Sequence, residues 1–395
     1  MRRSEFCLAV VALVTLTGCG GEPSPDLDAL DLGGYSAQPL SAPPNTGEYY
    51  GRILESTRLT EVLARPADIA AELDYTEIPQ PVPNSGFAMA TLATPVRPVL
   101  QRYDMVAEAV GGGAETGRTE SEGQRSITIN LLRFRDESTA RLAAAELDAA
   151  DFAVSPDNVA VEISGYPGAH SHWRPTVPTL GTTIAHGSYV VSMYLVLPAP
   201  DLTALTDLAR KAFDRQLTLL DTFRPTPVDQ LATLALDPDD MVRRMISART
   251  GRWNYPAVDE IADGVLRASG VTYGPNAAAA ILGDPAKAAE LGYDRRAVVG
   301  ITNVLSRLKS ATAAKQFADF LAGRRAEGFD SIAAPAAPDV KCFRSRAAEQ
   351  ADFDRYLRYN CIIPVDRYVA TIFSEDEDDV RQRAAAQYVL LVNSR

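Results

Sequence analysis

The feature that most constrains the fold of this chain is an internal repeat of strands and helices. One copy spans residues 127–223 and the other spans 299–392. In each copy an apolar, β-prone run leads into an alanine-rich helical run, and two further β-prone runs precede a final helical run. The order of elements predicted for each copy is therefore β-α-β-β-α.

Identical residues occupy matching places in the two copies. The matches are Arg133 with Arg307, Ala140 with Ala314, Ala144 with Ala318, Leu147 with Leu321, Tyr189–Val190 with Tyr368–Val369, Gln216 with Gln387, Leu219 with Leu390 and Leu220 with Leu391. Any two α/β segments share some features, but agreement in element order, turn position and residue identity favours duplication of one unit.

The repeat predicts an α+β protein made of two tandem β-α-β-β-α units, each of ferredoxin-like or α/β-sandwich type. Each unit would contain one antiparallel sheet with helices on one face. The bare faces would then cover each other, leaving a sheet-lined cleft between the units as the natural ligand site. We place the N-terminal domain at residues 49–225 and the C-terminal domain at residues 226–395.

The first nineteen residues have the pattern of a bacterial lipoprotein signal. Two arginines precede an apolar run from Phe6 to Thr17 that is too short to span a bilayer. The run ends in Leu-Thr-Gly-Cys, with the cysteine at position 19, and this junction is typical of a lipobox. We therefore predict a signal peptide at residues 1–18 and lipidation of Cys19, with the protein held on the outer face of the cell membrane.

Residues 19–48 join this predicted anchor to the folded body. They are rich in Gly, Pro, Ser and Asp, and their leucines show no periodic apolar face. This composition predicts a flexible tether with an r.m.s. reach of roughly 30 Å.

The charge of the chain limits its partners. The formal net charge is −12 at pH 7, and an acidic surface argues against nucleic acid and against anionic lipid head groups. Contact with the membrane would therefore come from the acyl chains on Cys19, which are enough for stable anchoring when two or three are present.

Two cysteines remain beyond the predicted signal and anchor, Cys342 and Cys361. An isolated pair in an exported protein most often forms a disulfide, and the absence of histidines after His186 makes a zinc site a poor alternative. We predict a Cys342–Cys361 disulfide.

The three histidines of the chain are the candidates for a metal site. His170 and His172 would share a face of an extended segment, and His186 would lie opposite them in a hairpin. Three converging imidazoles suit zinc. Prolines and a glycine around the first pair instead predict a loop with surface histidines, so we expect no metal and keep a metal site as the alternative.

Several of these motifs together resemble a known family. They are the lipobox and proline-rich tether, Leu236-Asp237-Pro238, Tyr273-Gly274-Pro275, the Cys342/Cys361 pair and Asp366-Arg367-Tyr368-Val369-Ala370. The chain resembles uncharacterised actinobacterial envelope lipoproteins that carry a domain of unknown function of the DUF7373 type. The resemblance implies a location in a mycolate-type cell envelope and supplies no catalytic residues.

The sequence contains no nucleophile elbow, phosphate-binding loop or His-Glu-x-x-His motif. We therefore expect no enzyme and no cofactor, but an envelope lipoprotein that binds a ligand or a protein partner. The alternatives are a metal-dependent enzyme centred on His170, His172 and His186, and a purely structural envelope protein.

Overall fold

The computed structural model describes residues 26–116, 123–247, 249–262, 264–300, 303–347 and 357–394. The helices are α1 (Glu48–Leu59), α2 (Pro66–Ile69), α3 (Arg97–Arg102), α4 (Glu137–Phe152), α5 (Leu202–Leu220), α6 (Pro275–Leu282), α7 (Pro285–Leu291), α8 (Ala311–Arg325) and α9 (Glu377–Asn393). The strands are β1 (Tyr75–Thr76), β2 (Gln80–Val82), β3 (Ala107–Ala114), β4 (Ser126–Arg133), β5 (Val159–Ala160), β6 (His170–Trp173), β7 (Thr179–His186), β8 (Tyr189–Val196), β9 (Ala257–Ala262), β10 (Val265–Ser269), β11 (Val271–Tyr273), β12 (Arg295–Val299), β13 (Asn303–Arg307), β14 (Phe329–Ile332), β15 (Lys341–Ser345), β16 (Tyr359–Val365) and β17 (Tyr368–Ser374).

Each half of the chain forms one antiparallel sheet, and the two sheets have the same strand order. The N-terminal order is β1-β3-β4-β8-β7-β6-β5, with β2 also pairing with β3, and the C-terminal order is β11-β12-β13-β17-β16-β15-β14. β9 and β10 form a separate hairpin. The predicted two-domain α+β architecture is therefore confirmed.

The number of strands in each unit differs from the prediction. Each unit runs β-β-α-β-β-β-β-α, from β3 to α5 and from β12 to α9, so β-α-β-β-α undercounts the strands. At the start of the second copy, where one β-prone run was predicted, residues 295–299 and 303–307 form two antiparallel strands, β12 and β13. Short strands such as β5 and β6 have two and four residues, too few to show an alternating apolar pattern.

The helices of each unit cover both faces of its sheet, which corrects the prediction of one bare face. In the N-terminal sheet, Leu131 and Val191 face α5, while Leu132 and Val190 face α4. In the C-terminal sheet, α9 and α8 occupy opposite faces in the same way. The central strands are apolar on both faces, so both need a cover, and the predicted sheet-lined cleft does not form.

A buried glutamine makes the same contacts in both units. Gln216 on α5 accepts a hydrogen bond from the Ala64 N–H at 2.9 Å and donates to the Val62 carbonyl at 2.8 Å. Gln387 on α9 accepts from the Ile246 N–H at 3.0 Å and donates to the Arg244 carbonyl at 2.7 Å.

These two glutamines match in sequence, and each holds residues two apart in the segment that leads into its unit. The correspondence extends the duplication beyond element order, to a specific set of hydrogen bonds.

Part of the predicted tether is packed on the C-terminal unit. Leu30 and Ala37 are buried in the same core as α9. The Tyr35 hydroxyl donates to the Asp379 carboxylate at 2.5 Å, and Asn393 donates to the Ala37 carbonyl at 3.1 Å. The prediction of a flexible segment is therefore wrong for residues 27–37, whose apolar side chains pack without any helical or strand period.

The predicted disulfide is present. Cys342 on β15 and Cys361 on β16 are direct cross-strand partners, and a disulfide joins them with their Cα atoms 4.1 Å apart. Both cysteines are buried, so the bond links two neighbouring internal strands of the C-terminal sheet.

Candidate functional site

A cleft lies where the two halves of the chain meet, and it has two adjoining chambers. The larger, here the arginine chamber, has a volume of 660 Å³ and is lined by Arg58, Arg224 and Arg295 among others. The smaller, here the alanine chamber, has a volume of 440 Å³ and is lined by alanine, proline and glycine of α6, α7 and β3 together with charged residues that include Arg65, Asp68 and Arg215. Both volumes are in the range of small-molecule sites.

The two chambers share Leu219, Pro275 and Asn276 in their linings, and Glu61 lies at this shared wall. The Glu61 carboxylate accepts hydrogen bonds from the backbone N–H groups of Asn276 at 2.7 Å and Ala277 at 3.2 Å. A carboxylate at this position satisfies N–H groups at the start of α6 that lack a partner within the helix.

The contact between Glu61 and α6 also depends on the residue before the helix. A Cβ atom on Gly274 would lie 2.5 Å from a Glu61 carboxylate oxygen, so only glycine allows this approach. Burial raises the pKa of the Glu61 carboxyl, and the two N–H groups oppose that rise. The N-terminal half is thus joined to the C-terminal half at the centre of the cleft.

Arg58 lies on one wall of the arginine chamber and is held in place by a buried ionic cluster. Glu55 is fully buried and pairs with both Arg58 and Arg133, with N···O distances of 2.5 Å in each case. Thr226 closes the cluster by donating from its N–H and hydroxyl to Glu55 at 3.1 and 2.8 Å. The guanidinium carbon of Arg58 also lies 5.1 Å from the ring centre of Phe223, close enough for a cation–π contact.

Arg224 lies next to this cluster but has a different environment. Its side chain donates only to backbone carbonyls, of Asp221 at 3.0 Å and Phe223 at 3.3 Å. It makes no ion pair with any carboxylate in the described part of the chain. An exposed guanidinium at the rim is therefore free to meet an anion.

The opposite wall of the arginine chamber carries the second copy of the repeated arginine. Arg307, which matches Arg133, pairs with Asp294 at 2.9 Å and lies 3.8 Å from Asp239. Asp239 in turn pairs with Arg295 at 2.9 Å, and both of these line the chamber. Arg133 and Arg307 are each the cross-strand partner of a repeated tyrosine, Tyr189 and Tyr368. The two copies of the repeat thus place equivalent charged clusters behind the two walls.

The chambers combine positive charge with apolar surface. Leu54, Leu234, Leu236 and Pro238 line the arginine chamber beside its three guanidinium groups. None of the described residues that line either chamber is His, Cys or Ser. The arrangement suits binding, and these lining side chains offer no pair of nucleophile and histidine base.

The three histidines do not converge. His172 is buried against α4, where its Nδ1 lies 2.9 Å from Asp148 and its Nε2 lies 3.6 Å from Asp151. Its cross-strand partner is Gly181, and His186, five positions further along β7, points to the other face of the sheet. There His186 lies 2.6 Å from Asp221.

His170 is exposed on β6, which corrects the predicted loop around it. The hairpin placement of His186 opposite His170 and His172 is likewise wrong. Within the described ranges no cluster of three or more His, Cys, Asp or Glu is arranged to hold a metal ion.

The predicted lipidation site lies outside the described residues, because Cys19 belongs to residues 1–25. Over the part that is described, no helix has both the length and the apolar character needed to cross a membrane.

Sequence reasoning missed the arginines of the cleft, because Arg58, Arg224 and Arg295 come from distant parts of the chain and form no motif. A signal for the cleft was nevertheless present in the motifs Leu236-Asp237-Pro238 and Tyr273-Gly274-Pro275. Leu236, Pro238, Gly274 and Pro275 all line the arginine chamber.

Two family models match the chain. The model of the N-terminal part of the domain of unknown function DUF7373 matches residues 42–236, and that of its C-terminal part matches residues 241–394. No curated protein matches the sequence.

Among solved structures, the crystal structure of the extracellular domain of PknH from Mycobacterium tuberculosis is similar to part of the chain. The match has 12% sequence identity and a TM-score of 0.29, and it covers 40% of this chain and 93% of the other.

Proposed function

We propose that this chain, which belongs to the DUF7373 family, is a lipid-anchored cell-envelope protein that binds a ligand, without converting it, in the cleft between its two halves. The observation that carries this proposal is the pair of adjoining chambers, of 660 and 440 Å³, at the junction of the halves. Ligand sites are commonly concave, largely apolar and supplied with a few convergent polar groups.

The placement of the cleft supports this role. Its walls come from both halves of the chain, and Glu61 binds the start of α6 at its centre. A ligand that contacts both walls would favour the closed arrangement of the halves, since it would bind this arrangement better than an open one.

The proposed location rests on the sequence around Cys19. A lipidated cysteine seven positions before Asp26 would hold the C-terminal unit close to the membrane, because residues 27–37 pack on α9. Seven residues have an r.m.s. reach of roughly 15 Å, about half the reach expected for a tether of residues 19–48.

The location is tested by feeding cells an alkyne-tagged fatty acid. We expect the wild-type protein to take up the tag and to sediment with membranes, and the Cys19→Ala variant to do neither. A tagged, membrane-bound Cys19→Ala protein would contradict the assignment of the lipid to Cys19.

Ligand binding is tested by native mass spectrometry of protein purified from its own host. We expect an added mass that is released on denaturation. Leu219→Trp should abolish it because Leu219 lines both chambers. Leu142→Trp is the matched control, since Leu142 is 56% exposed on α4, away from the cleft.

The outcome also separates this proposal from a purely structural role. An unliganded mass for the wild-type protein, or an added mass that persists in Leu219→Trp, would contradict ligand binding in the cleft. The proposal of a metal-dependent enzyme centred on the three histidines has lost its geometric basis, since His172 and His186 point to opposite faces of one sheet.

A further inference from the structure

We infer that the ligand of the cleft is an amphiphile with one anionic head group, held by the guanidinium groups of the arginine chamber, and an apolar chain that extends along the walls toward the alanine chamber. This inference rests on the proposed function and adds the chemical class of the ligand.

The charge of the first wall supports an anionic head group. Glu55 is shared between two guanidinium groups, those of Arg58 and Arg133, so its carboxylate neutralises only one of them. Arg224 adds a further positive charge with no carboxylate partner within the described residues. This wall therefore has an excess of positive charge.

On the second wall, Asp239 and Arg295 line the chamber and pair with each other. Two further guanidinium groups lie behind this lining, those of Arg307, near Asp239 and Asp294, and Arg367, near Asp294. Glu61 is the remaining acid of the chamber, and it is already bound to backbone N–H groups of α6. A local positive excess in a chain of net charge −12 selects an anion at this place.

The anion alone would not use the rest of the cleft. Apolar residues of both halves line the arginine chamber, among them Leu54, Leu234 and Leu236. The adjoining alanine chamber is lined by small side chains of two helices, including Ala280 and Ala289, and by Gly111 and Gly112 of β3. Its lining also includes Arg65, Asp68, Glu77, Arg215 and Asp294. Asp68 pairs with both of these arginines, so this chamber has no excess of positive charge.

At Gly112 an added Cβ atom would lie 2.3 Å from the Ile127 carbonyl oxygen, so a side chain does not fit there. Gly112 therefore lines the chamber with backbone atoms alone. Burial of apolar ligand surface against these walls is favourable at about 25 cal/mol per Å². The arginine chamber thus supplies an excess of positive charge, and both chambers supply apolar surface, for one molecule.

Carboxylate and phosphate head groups share the geometry that a guanidinium group recognises with two parallel hydrogen bonds. The probes are therefore dodecanoate and dodecyl phosphate, with dodecyl maltoside as the neutral molecule of equal chain length. Inorganic phosphate and acetate represent the head groups without the chain. Binding is measured by isothermal titration calorimetry below the critical micelle concentration of each probe.

We expect the two anionic dodecyl probes to bind at least about tenfold more tightly than dodecyl maltoside, the factor that corresponds to about 1.4 kcal/mol. Inorganic phosphate and acetate should bind far more weakly than their dodecyl forms. Whichever anionic probe binds more tightly identifies the head group as carboxylate or phosphate.

Arg224→Gln should weaken binding of the anionic probes by about tenfold, as expected for loss of a charge-assisted hydrogen bond, and leave dodecyl maltoside unchanged. Arg174→Gln is its control, because Arg174 is an exposed arginine that lines neither chamber. Ala289→Trp, at the exposed edge of the alanine chamber, should weaken binding of the anionic dodecyl probes but not binding of hexanoate or hexyl phosphate. Ala286→Trp on the same helix is the control, since Ala286 lines neither chamber.

Equal affinity for anionic and neutral dodecyl probes would contradict the inference of an anionic head group. An Arg224→Gln variant that binds the anionic probes as tightly as the wild type would also contradict it. Equal affinity for inorganic phosphate and dodecyl phosphate would contradict the inference that the ligand has an apolar chain. If no probe binds but the host-made protein carries an added mass that Leu219→Trp removes, the ligand class is wrong and the proposed function stands. If that added mass is also absent, both the inferred ligand class and the proposed ligand-binding function are wrong.

Discussion

Gln216 and Gln387 each fix the path of a segment that precedes their own unit. Both are fully buried, and each satisfies one N–H and one carbonyl group at the end of a short 3-10 helix. An unpaired buried backbone group costs free energy, so each amide stabilises a chain path that would otherwise be unfavourable. The sequence match between the two glutamines was visible before the structure, but their partners, 150 or so positions away, were not.

Replacing either glutamine with leucine should destabilise the fold. Gln216→Leu and Gln387→Leu each leave one buried donor and one buried acceptor unsatisfied, and we expect each to lower the free energy of unfolding by about 1–3 kcal/mol. Urea unfolding followed by circular dichroism measures the change. Gln230→Leu, at an exposed position, should be near neutral, and a similar loss in that variant would show that the effect is not specific to the buried amides.

Glu108 on β3 is a buried acid without a partner. Its side chain is fully buried, and both carboxylate oxygens lack a hydrogen-bond partner among the described residues. Burial raises the pKa of the Glu108 carboxyl well above its ordinary value of 4.5. The folded protein therefore holds a proton on Glu108 at a pH at which the unfolded chain has released it.

Because of this difference, the free energy of unfolding decreases as the pH rises above 4.5. The decrease ends once the pH exceeds the pKa of Glu108 in the folded state. In that window the folded state binds one more proton than the unfolded state, and the slope is about −1.4 kcal/mol per pH unit. Glu108→Gln removes the titrating group, so its stability relative to the wild type should increase from pH 5 to pH 8. Urea unfolding at several pH values tests this, with the exposed Glu137→Gln as control. A constant difference between Glu108→Gln and wild type would contradict the shifted pKa.

At the scale of elements, the sequence predicted the long central features and missed the short or irregular ones. The helices α4, α5, α8 and α9 were predicted, because each is long and has an apolar face. Gly112 and Gly113 lie inside β3, where backbone and proline atoms approach so closely that a side chain has no room, and a run of glycines carries no apolar alternation that would predict a strand. The packing of residues 27–37 on α9 was not visible either, since scattered leucines carry no period.

The disulfide between Cys342 and Cys361 joins two strands, β15 and β16. Cys342→Ala/Cys361→Ala should lower the free energy of unfolding by roughly 3 kcal/mol, the value expected for a closed loop of about 20 residues. Chemical denaturation of the wild type with and without reductant should show the same loss, and reductant should not affect the double variant. A wild type whose stability is independent of reductant would contradict the role of this bond.

At the scale of the whole molecule, the duplication accounts for the matched charged clusters that lie behind the walls of the cleft. Arg133 and Arg307 were matched from the sequence, and the structure places them behind opposite walls of the arginine chamber. The sheet-lined cleft predicted between the units was wrong because each unit covers both faces of its own sheet. The cleft instead forms from helix, loop and strand residues of both halves, whose positions depend on contacts such as Glu61 with α6.

The most direct test of ligand binding in the cleft is a crystal structure of the protein purified from its own host. We predict electron density for an elongated molecule in the arginine chamber, with an anionic end within about 3 Å of the Arg58 or Arg224 guanidinium. Density that holds only water in both chambers, or a ligand bound elsewhere on the molecule, would contradict this account.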